Sequence, residues 1–217
     1  MTQMDQPMRY YDEARVTIPP LHKSLVSRLA FPVLALLSRE RSAGLGLVPI
    51  DDERVIMALK HARGRVLDVG CGSNTFVKSY GNGIGVDVVK WQGCDQQISD
   101  AAQLPFPSES FDTVSYLACL NHIPNREASV REAWRVLHPG GQILLTMITP
   151  RLGTFVHRLR ERNDPDHRQR HINHDNELLG MSEGLVRSIL ESAGFADVVR
   201  KRFAWGFNSL YVARKPS

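Results

Sequence analysis

Asp68, Gly70, Gly72, Asp87, Asp100 and His122 are the residues of this 217-residue chain whose types and spacing could do chemistry. The first three share the stretch Arg65-Val-Leu-Asp-Val-Gly-Cys-Gly-Ser-Asn74, where an apolar run breaks into two glycines around Cys71. Glycine has no Cβ to hold a ligand off the backbone, and the amides that open a following helix carry partial positive charge. A polar or anionic group is therefore expected to approach this turn. Asp87 stands 17 residues beyond Gly70 and is followed by Val88; its carboxylate is placed to accept hydrogen bonds from a pair of sugar hydroxyls. Asp100 follows in Ser99-Asp100-Ala101-Ala102, and His122, in Leu120-Asn-His-Ile-Pro124, brings an imidazole able to take a proton near neutral pH. A nucleoside ligand fits this set.

The elements that must position these groups follow from the apolar pattern. Asp51 and Asp52 open a helix of about three turns that leads through Gly64 into a buried strand at Val66–Val69. After the glycine turn the pattern gives a short helix near 73–80, a second strand at Ile84–Val88 and a weak third near Cys94–Ile98. A fourth strand spans Phe111–Ala118. A helix capped near Asn125 ends at His138-Pro-Gly-Gly141, and a fifth strand covers Gln142–Thr149. Ser182 caps a last helix that ends at Gly194, and two closely spaced strands, 197–203 and 208–213, should pair antiparallel. Strands alternating with helices predict a parallel sheet covered on both faces, with its ligand at the carboxyl ends of the strands where the order reverses. The Gly70–Gly72 turn, Asp87, Asp100 and the loop Ala118–Asn125 all belong to that edge.

A glycine turn with an acid also occurs in nicotinamide enzymes, so the discrimination comes from further along. The run Asp100-Ala-Ala-Gln-Leu-Pro-Phe-Pro-Ser-Glu-Ser-Phe-Asp112, followed by Arg135-Val-Leu-His-Pro-Gly-Gly141, resembles the class I S-adenosylmethionine-dependent methyltransferases, in particular small-molecule enzymes related to the quinone-biosynthesis methyltransferases. The resemblance covers roughly residues 52–150 and the C-terminal strand pair in outline. It implies a Rossmann-like doubly wound sheet of about seven strands, mostly parallel with an antiparallel C-terminal strand, plus a helical N-terminal cap. It places Asp68, Gly70, Cys71 and Gly72 beside the methionine portion of S-adenosylmethionine. Asp87 with Val88 would lie at the ribose, Asp100 and Ala101 at the adenine, and the backbone of Leu117 and Ala118 near the methionine amine. Tyr11 resembles an aromatic that some relatives fold over the cofactor. The departure is Asn74, where many members have a third glycine; asparagine tolerates left-handed backbone better than most residues.

The implied reaction is methyl transfer to a small-molecule acceptor by in-line displacement, with oxygen favoured and His122 as the candidate base. An RNA or tRNA methyltransferase and a non-catalytic S-adenosylmethionine-binding regulatory subunit are the alternatives. Residues 1–50 read as an arm and cap, and 51–217 as the methyltransferase domain, with 151–181 as an insertion that shapes the acceptor pocket. That insertion is rich in arginine and histidine, which makes an anionic acceptor conceivable. Its His167 and His171 share a helical spacing without a fixed carboxylate, so no metal site is read. The charge of +4 is concentrated in the flanks, without the lysine-rich run or basic–aromatic interleaving that would favour nucleic acid. Three cysteines without a CxxC pair indicate a reducing, cytoplasmic setting. The longest apolar run, Leu25–Leu37, is interrupted by Arg28 and Pro32 and is too short to span a bilayer.

Overall fold

The computed structural model of the chain describes Val48, residues 50–150, Thr154 and residues 178–217. The N-terminal arm with Tyr11, the amphipathic stretch near 21–40 and the Arg/His-rich residues 155–177 with His167 and His171 lie outside the described residues.

Helix α1 (Ile50–Leu59) begins with three acids in its first turn, where negative charge complements the free amides. It leads into β1 (Val66–Val69), whose four residues are all buried because both sheet faces are covered. Then follow α2 (Thr75–Tyr80), β2 (Gly83–Asp87), β3 (Gln96–Gln97), β4 (Phe111–Leu117), a short 3-10 turn (Leu120–His122) and α3 (Arg126–Val136). The described chain continues with β5 (Leu137–Ile148), α4 (Glu183–Ser192), β6 (Ala196–Phe203) and β7 (Asn208–Arg214). Among the described residues the sheet has seven strands in the order β3-β2-β1-β4-β5-β7-β6. Only β7 runs against its neighbours, pairing antiparallel with both β5 and β6. The doubly wound class read from the sequence is borne out. β1 pairs parallel with β2 on one side and β4 on the other, so the strand order reverses at β1 and the crevice opens beyond Val69 and Leu117.

Each face of the sheet buries one apolar cluster. Val130, Ala133 and Val136 of α3 and Val186, Ile189 and Leu190 of α4 pack with Val114, Tyr116, Leu145 and Tyr211. On the opposite face Val55 and Ala58 of α1 and Phe76 and Val77 of α2 pack with Val66, Leu144 and Leu210. Alternate residues of β5 thus serve different cores, as period-two side-chain direction requires.

Three boundaries differ from the sequence reading. β3 shrinks to two residues, since only Val86 and Asp87 of β2 reach far enough to pair with it. Asn125 makes no side-chain cap at the start of α3. β5 begins five residues early, at Leu137, because the Pro139-Gly140-Gly141 turn is held as strand by the chain end: Lys215 accepts from Gly140 and donates to Gly141, at 3.0 and 2.9 Å.

The loop between β3 and β4 is latched to α3 by one charged pair. Arg135 donates from Nε to Glu132 Oε1 and from Nη2 to Glu132 Oε2, both at 2.8 Å, and reaches the carbonyls of Phe106 and Leu104 at 2.9 and 3.0 Å. Glu132 in turn accepts from Leu104 N at 2.9 Å. Removing the guanidinium should therefore release this loop without unfolding the sheet. In Arg135→Ala, amide exchange at residues 101–108 is expected to accelerate roughly tenfold or more, while β4 and β5 keep their protection. Equal protection of the loop in both proteins would show that the latch is not what holds it.

Candidate active site

The glycine turn is built differently from the expectation. Gly70 N and Cys71 N both donate to Val86 O, at 2.8 and 3.1 Å, and Gly72 N donates to Asp87 Oδ2 at 3.0 Å. Asn74 N is taken by Cys71 O at 2.8 Å, and α2 has only six residues. The amides of Gly70, Cys71, Gly72 and Asn74 are thus taken up inside the protein, so the glycine turn itself offers few donors to a ligand. Its two glycines also have separate reasons. A Cβ on Gly70 (φ +74°) would run into Cys119, 2.6 Å from its Cβ, so Gly70 lets the β4 loop close on the turn. A Cβ on Gly72 (φ +52°) would meet nothing within 4 Å; the open space is on that side.

Asn74 holds the left-handed conformation (φ 62°) that the motif's usual glycine would take. Its amide donates to Gly93 O at 3.1 Å and to Asp95 Oδ2 at 2.8 Å, and its side chain fills the space left by Gly85. The departure from the family pattern is thus a bolt between the turn and the loop after β2.

The acids gather where the sequence places them. Asp87, 8% exposed, uses Oδ2 for Gly72 and Oδ1 for Val89 N at 3.0 Å, which leaves each oxygen a second lone pair for a ligand hydroxyl. Ile98 N donates to Asp87 O at 2.9 Å, carrying the chain from β2 toward Asp100. Asp100 Oδ1 accepts from Ala102 N at 2.8 Å and shapes that turn, Ala101 is buried, and Val88 is exposed. Leu117 and Ala118 are half-buried at the end of a strand that is otherwise nearly all buried, and Ala118 bends the chain with φ +58°.

Asp68 is the electrostatic centre. It is 2% exposed and accepts a 2.6 Å hydrogen bond from Ser115 Oγ. Burial pushes its carboxyl up to about 7; the Ser115 bond opposes this and the nearby Asp87 charge adds to it. Among the described residues no basic side chain forms an ion pair with it. A cationic ligand in the crevice would relieve that buried negative charge, whereas an anion would aggravate it. The residues present therefore fit a nucleoside that carries positive charge: Asp87 for a ribose diol, the Asp100 turn for a base, and Asp68 with the open side of Gly72 for the charged portion.

His122 sits half-buried on the 3-10 turn after β4. Asn121 Nδ2 lies 3.0 Å from His122 Nε2 and also donates to Leu178 O at 2.9 Å, while Leu178 N donates to Asn121 O at 2.9 Å. An amide nitrogen only donates, so Nε2 accepts and its lone pair is engaged. Sequence reasoning missed Asn121, Ser115 and Cys119. Ser115 alone left a signal, a hydroxyl in an otherwise apolar stretch of β4; the other two act through tertiary contacts.

Among the described residues no group of His, Cys, Asp and Glu could hold a metal ion, and no helix is long and apolar enough to cross a membrane.

Residues 67–145 match the family model of a methyltransferase domain. The methyltransferase GfsG of Streptomyces halstedii is 28% identical over 162 residues, covering 65% of this chain and 57% of that protein. The 27-O-demethylrifamycin SV methyltransferase of Amycolatopsis mediterranei is 27% identical, over 63% of this chain and 48% of its own length. The Mus musculus protein named "Probable tRNA methyltransferase 9B" is 30% identical over 37% of this chain and 21% of its length. The chain thus spans between about a fifth and three fifths of these curated relatives. Among solved structures, a Thermotoga maritima S-adenosylmethionine-dependent methyltransferase, described as a possible histamine N-methyltransferase, superposes with a TM-score of 0.56 at 20% identity. That match covers 75% of this chain and 87% of the other. At that identity the likeness speaks for the fold. The resemblance read in the sequence is borne out, and S-adenosylmethionine is the cofactor of the enzymes resembled.

The buried acid makes the unliganded protein sensitive to pH. Below the unfolded-state value of 3.8 both states hold the proton and Asp68 contributes no difference. As pH rises toward about 7 the unfolded state ionises first, so stability present at low pH is progressively lost, by on the order of 4 kcal/mol in full. Denaturant titrations at pH 5 and pH 8 should show this decline in the parent protein and its absence in Asp68→Asn, which is expected to be the more stable of the two at pH 8.

Proposed function

We propose, from the premise that residues 67–145 form a methyltransferase domain of the S-adenosylmethionine-dependent kind, that this chain transfers a methyl group from S-adenosylmethionine to a small-molecule acceptor, with oxygen favoured as the atom methylated. The observation that carries the cofactor is the pairing of a turn whose Gly70, Cys71 and Gly72 amides are taken up within the fold with a buried Asp68 that has no basic partner among the described residues. A pyrophosphate needs free amides, and a sulfonium with an ammonium suits a buried acid. The small-molecule reading is supported by the reach of the matches: the relative named for 27-O-demethylrifamycin SV aligns with 63% of the chain, the tRNA-type relative with 37%.

When bound, S-adenosylmethionine supplies a methyl group already activated by its sulfonium, so the protein's share is alignment and exclusion of water. Asp87, fixed by Gly72 and Val89, would accept from both ribose hydroxyls. The Asp100–Ala102 turn would meet the base, and the bend at Ala118 brings the β4 loop to the methionine end. Cys119, packed on Gly70, closes the floor between β1 and β4. His122 would orient the acceptor; to act as base it must first give up the hydrogen bond from Asn121. The tie between Asn121 and Leu178 sets the segment entering α4 against the same mouth, on the acceptor side. Three unpaired cysteines agree with a cytoplasmic setting.

Calorimetry with S-adenosylmethionine and S-adenosylhomocysteine tests the reading, and folded protein that binds neither would overturn it. Asp87→Ala should weaken both about a hundredfold through loss of two charge-assisted hydrogen bonds. Once an acceptor is in hand, His122→Gln distinguishes its two roles: a base role removes the acidic limb of the pH–rate profile, and an orienting role raises KM while the profile keeps its shape.

A further inference from the structure

Between the start of α4 and the carboxyl end of β5 the described residues form a cavity of about 360 Å³, within the size range of small-molecule sites. Met147, Ile148, Met181 and Tyr211 supply apolar walls, while Arg200 of β6, Ser209 of β7 and Glu183 of α4 supply a polar one. Arg200 is held from three sides. It donates from Nε to Ser209 Oγ at 2.9 Å and from Nη1 to Glu183 Oε2 at 2.6 Å, and its guanidinium carbon lies 5.9 Å from the centre of the Tyr211 ring. Its side chain is 15% exposed, and among the described residues Nη2 has no hydrogen-bond partner.

The charges of this cluster do not balance. Glu183 accepts from Arg200 on one oxygen and from Arg187 Nε, at 3.1 Å, on the other, so two guanidiniums share one carboxylate. Arg187 spends Nη1 on Val198 O at 2.9 Å and does not line the cavity, which leaves Arg200 to face it. We propose that the cavity binds an apolar molecule by its carboxylate, which pairs with Arg200 and supplies the missing negative charge. The count selects the anion: a carboxylate brings one negative charge, whereas a phosphate monoester brings nearly two. A guanidinium already fixed by Ser209, Glu183 and Tyr211 loses little side-chain freedom when the ligand arrives.

The link from this cavity to methyl transfer rests on the reading proposed above; the binding of a carboxylate does not. Ile148 ends β5 at the edge where β4 opens the crevice, and Met181 N, bonded to Ile148 O at 3.2 Å, closes the same end of the cavity. Arg200 lies three strands from β4, beyond β5 and β7, a distance of about 14 Å at the usual strand spacing. On that reading the bound molecule is the methyl acceptor. Its carboxylate is anchored at β6, and its apolar body extends over β7 and β5 toward His122. The atom that receives the methyl group is then not the carboxylate that Arg200 holds.

The test titrates the whole chain with decanoate, and with decanol as its uncharged match. Decanoate should bind at least tenfold more tightly than decanol. Arg200→Met, which keeps an apolar stem against Tyr211 and removes the guanidinium, should abolish that preference and leave decanol affinity unchanged, and Arg200→Lys should restore part of it. A second measurement needs no variant. In protein with isotope-labelled methionine methyls, the signals of Met147 and Met181 should shift with decanoate, and that of Met57, packed on the opposite face of the sheet, should not. Equal affinity for the two compounds, no binding of decanoate, or shifts that spare Met147 and Met181 overturns the site. A preference for decanoate that survives in Arg200→Met overturns the role of Arg200. Decanoate and S-adenosylhomocysteine should occupy the protein together, and exclusion of one by the other overturns the acceptor role. If S-adenosylhomocysteine does not bind at all, the methyltransferase reading falls, while the decanoate titration and the methionine signals still decide what the cavity holds.

Discussion

A carboxylate buried beside β4, with no cation to meet it among the described residues, is the constraint around which this site is built. Asp68 occupies the middle of the sheet, where strands are covered on both faces and water is excluded. One short hydrogen bond from Ser115 offsets part of the burial cost, and the neighbouring Asp87 makes matters worse. A protein tolerates such a group when something outside the fold completes it. On the proposed reading, complementarity to a cationic ligand is built into β1 itself.

The turn that follows has the opposite character from a phosphate-binding loop with a similar glycine pattern. Two of its amides converge on the carbonyl of Val86 and a third on Asp87, so the backbone ties β1 to β2 and presents little donor capacity outward. The same glycines in sequence are compatible with either use. Which one is realised depends on the partner strand, and the carbonyl that takes two amides is on a residue that carries no motif. This is why the glycine turn was legible as a turn at the end of β1 while the partners of its amides were not.

Much else was legible because it is local. The strands and helices follow from apolar periodicity, the Ser182 cap bonds Leu185 N at 3.2 Å, and Gly194 ends the last helix with φ +95°. Asp87 and Asp100 lie where their spacing put them, since each is a fixed number of residues past a strand whose register is set by burial. What escaped is tertiary. Gly70 is a glycine because the distant Cys119 occupies the position of its Cβ, and Asn74 replaces a glycine because Gly85 leaves it room. The early start of β5 is likewise set by Lys215 at the end of the chain.

The division of the sheet explains why cofactor and acceptor are so unequally readable. Everything that fits the nucleoside comes from β1, β2 and the turns after β3 and β4, each contributing side chains at fixed offsets from a parallel strand. The other half is organised by longer links: Asn121 reaches 57 residues to Leu178, and Met181 N bonds Ile148 O at 3.2 Å. These ties carry the chain from the mouth of β4 across the end of β5 and into α4. On the proposed reading the cofactor is held by the half that repeats a local pattern, and the acceptor meets the segment anchored by these longer links.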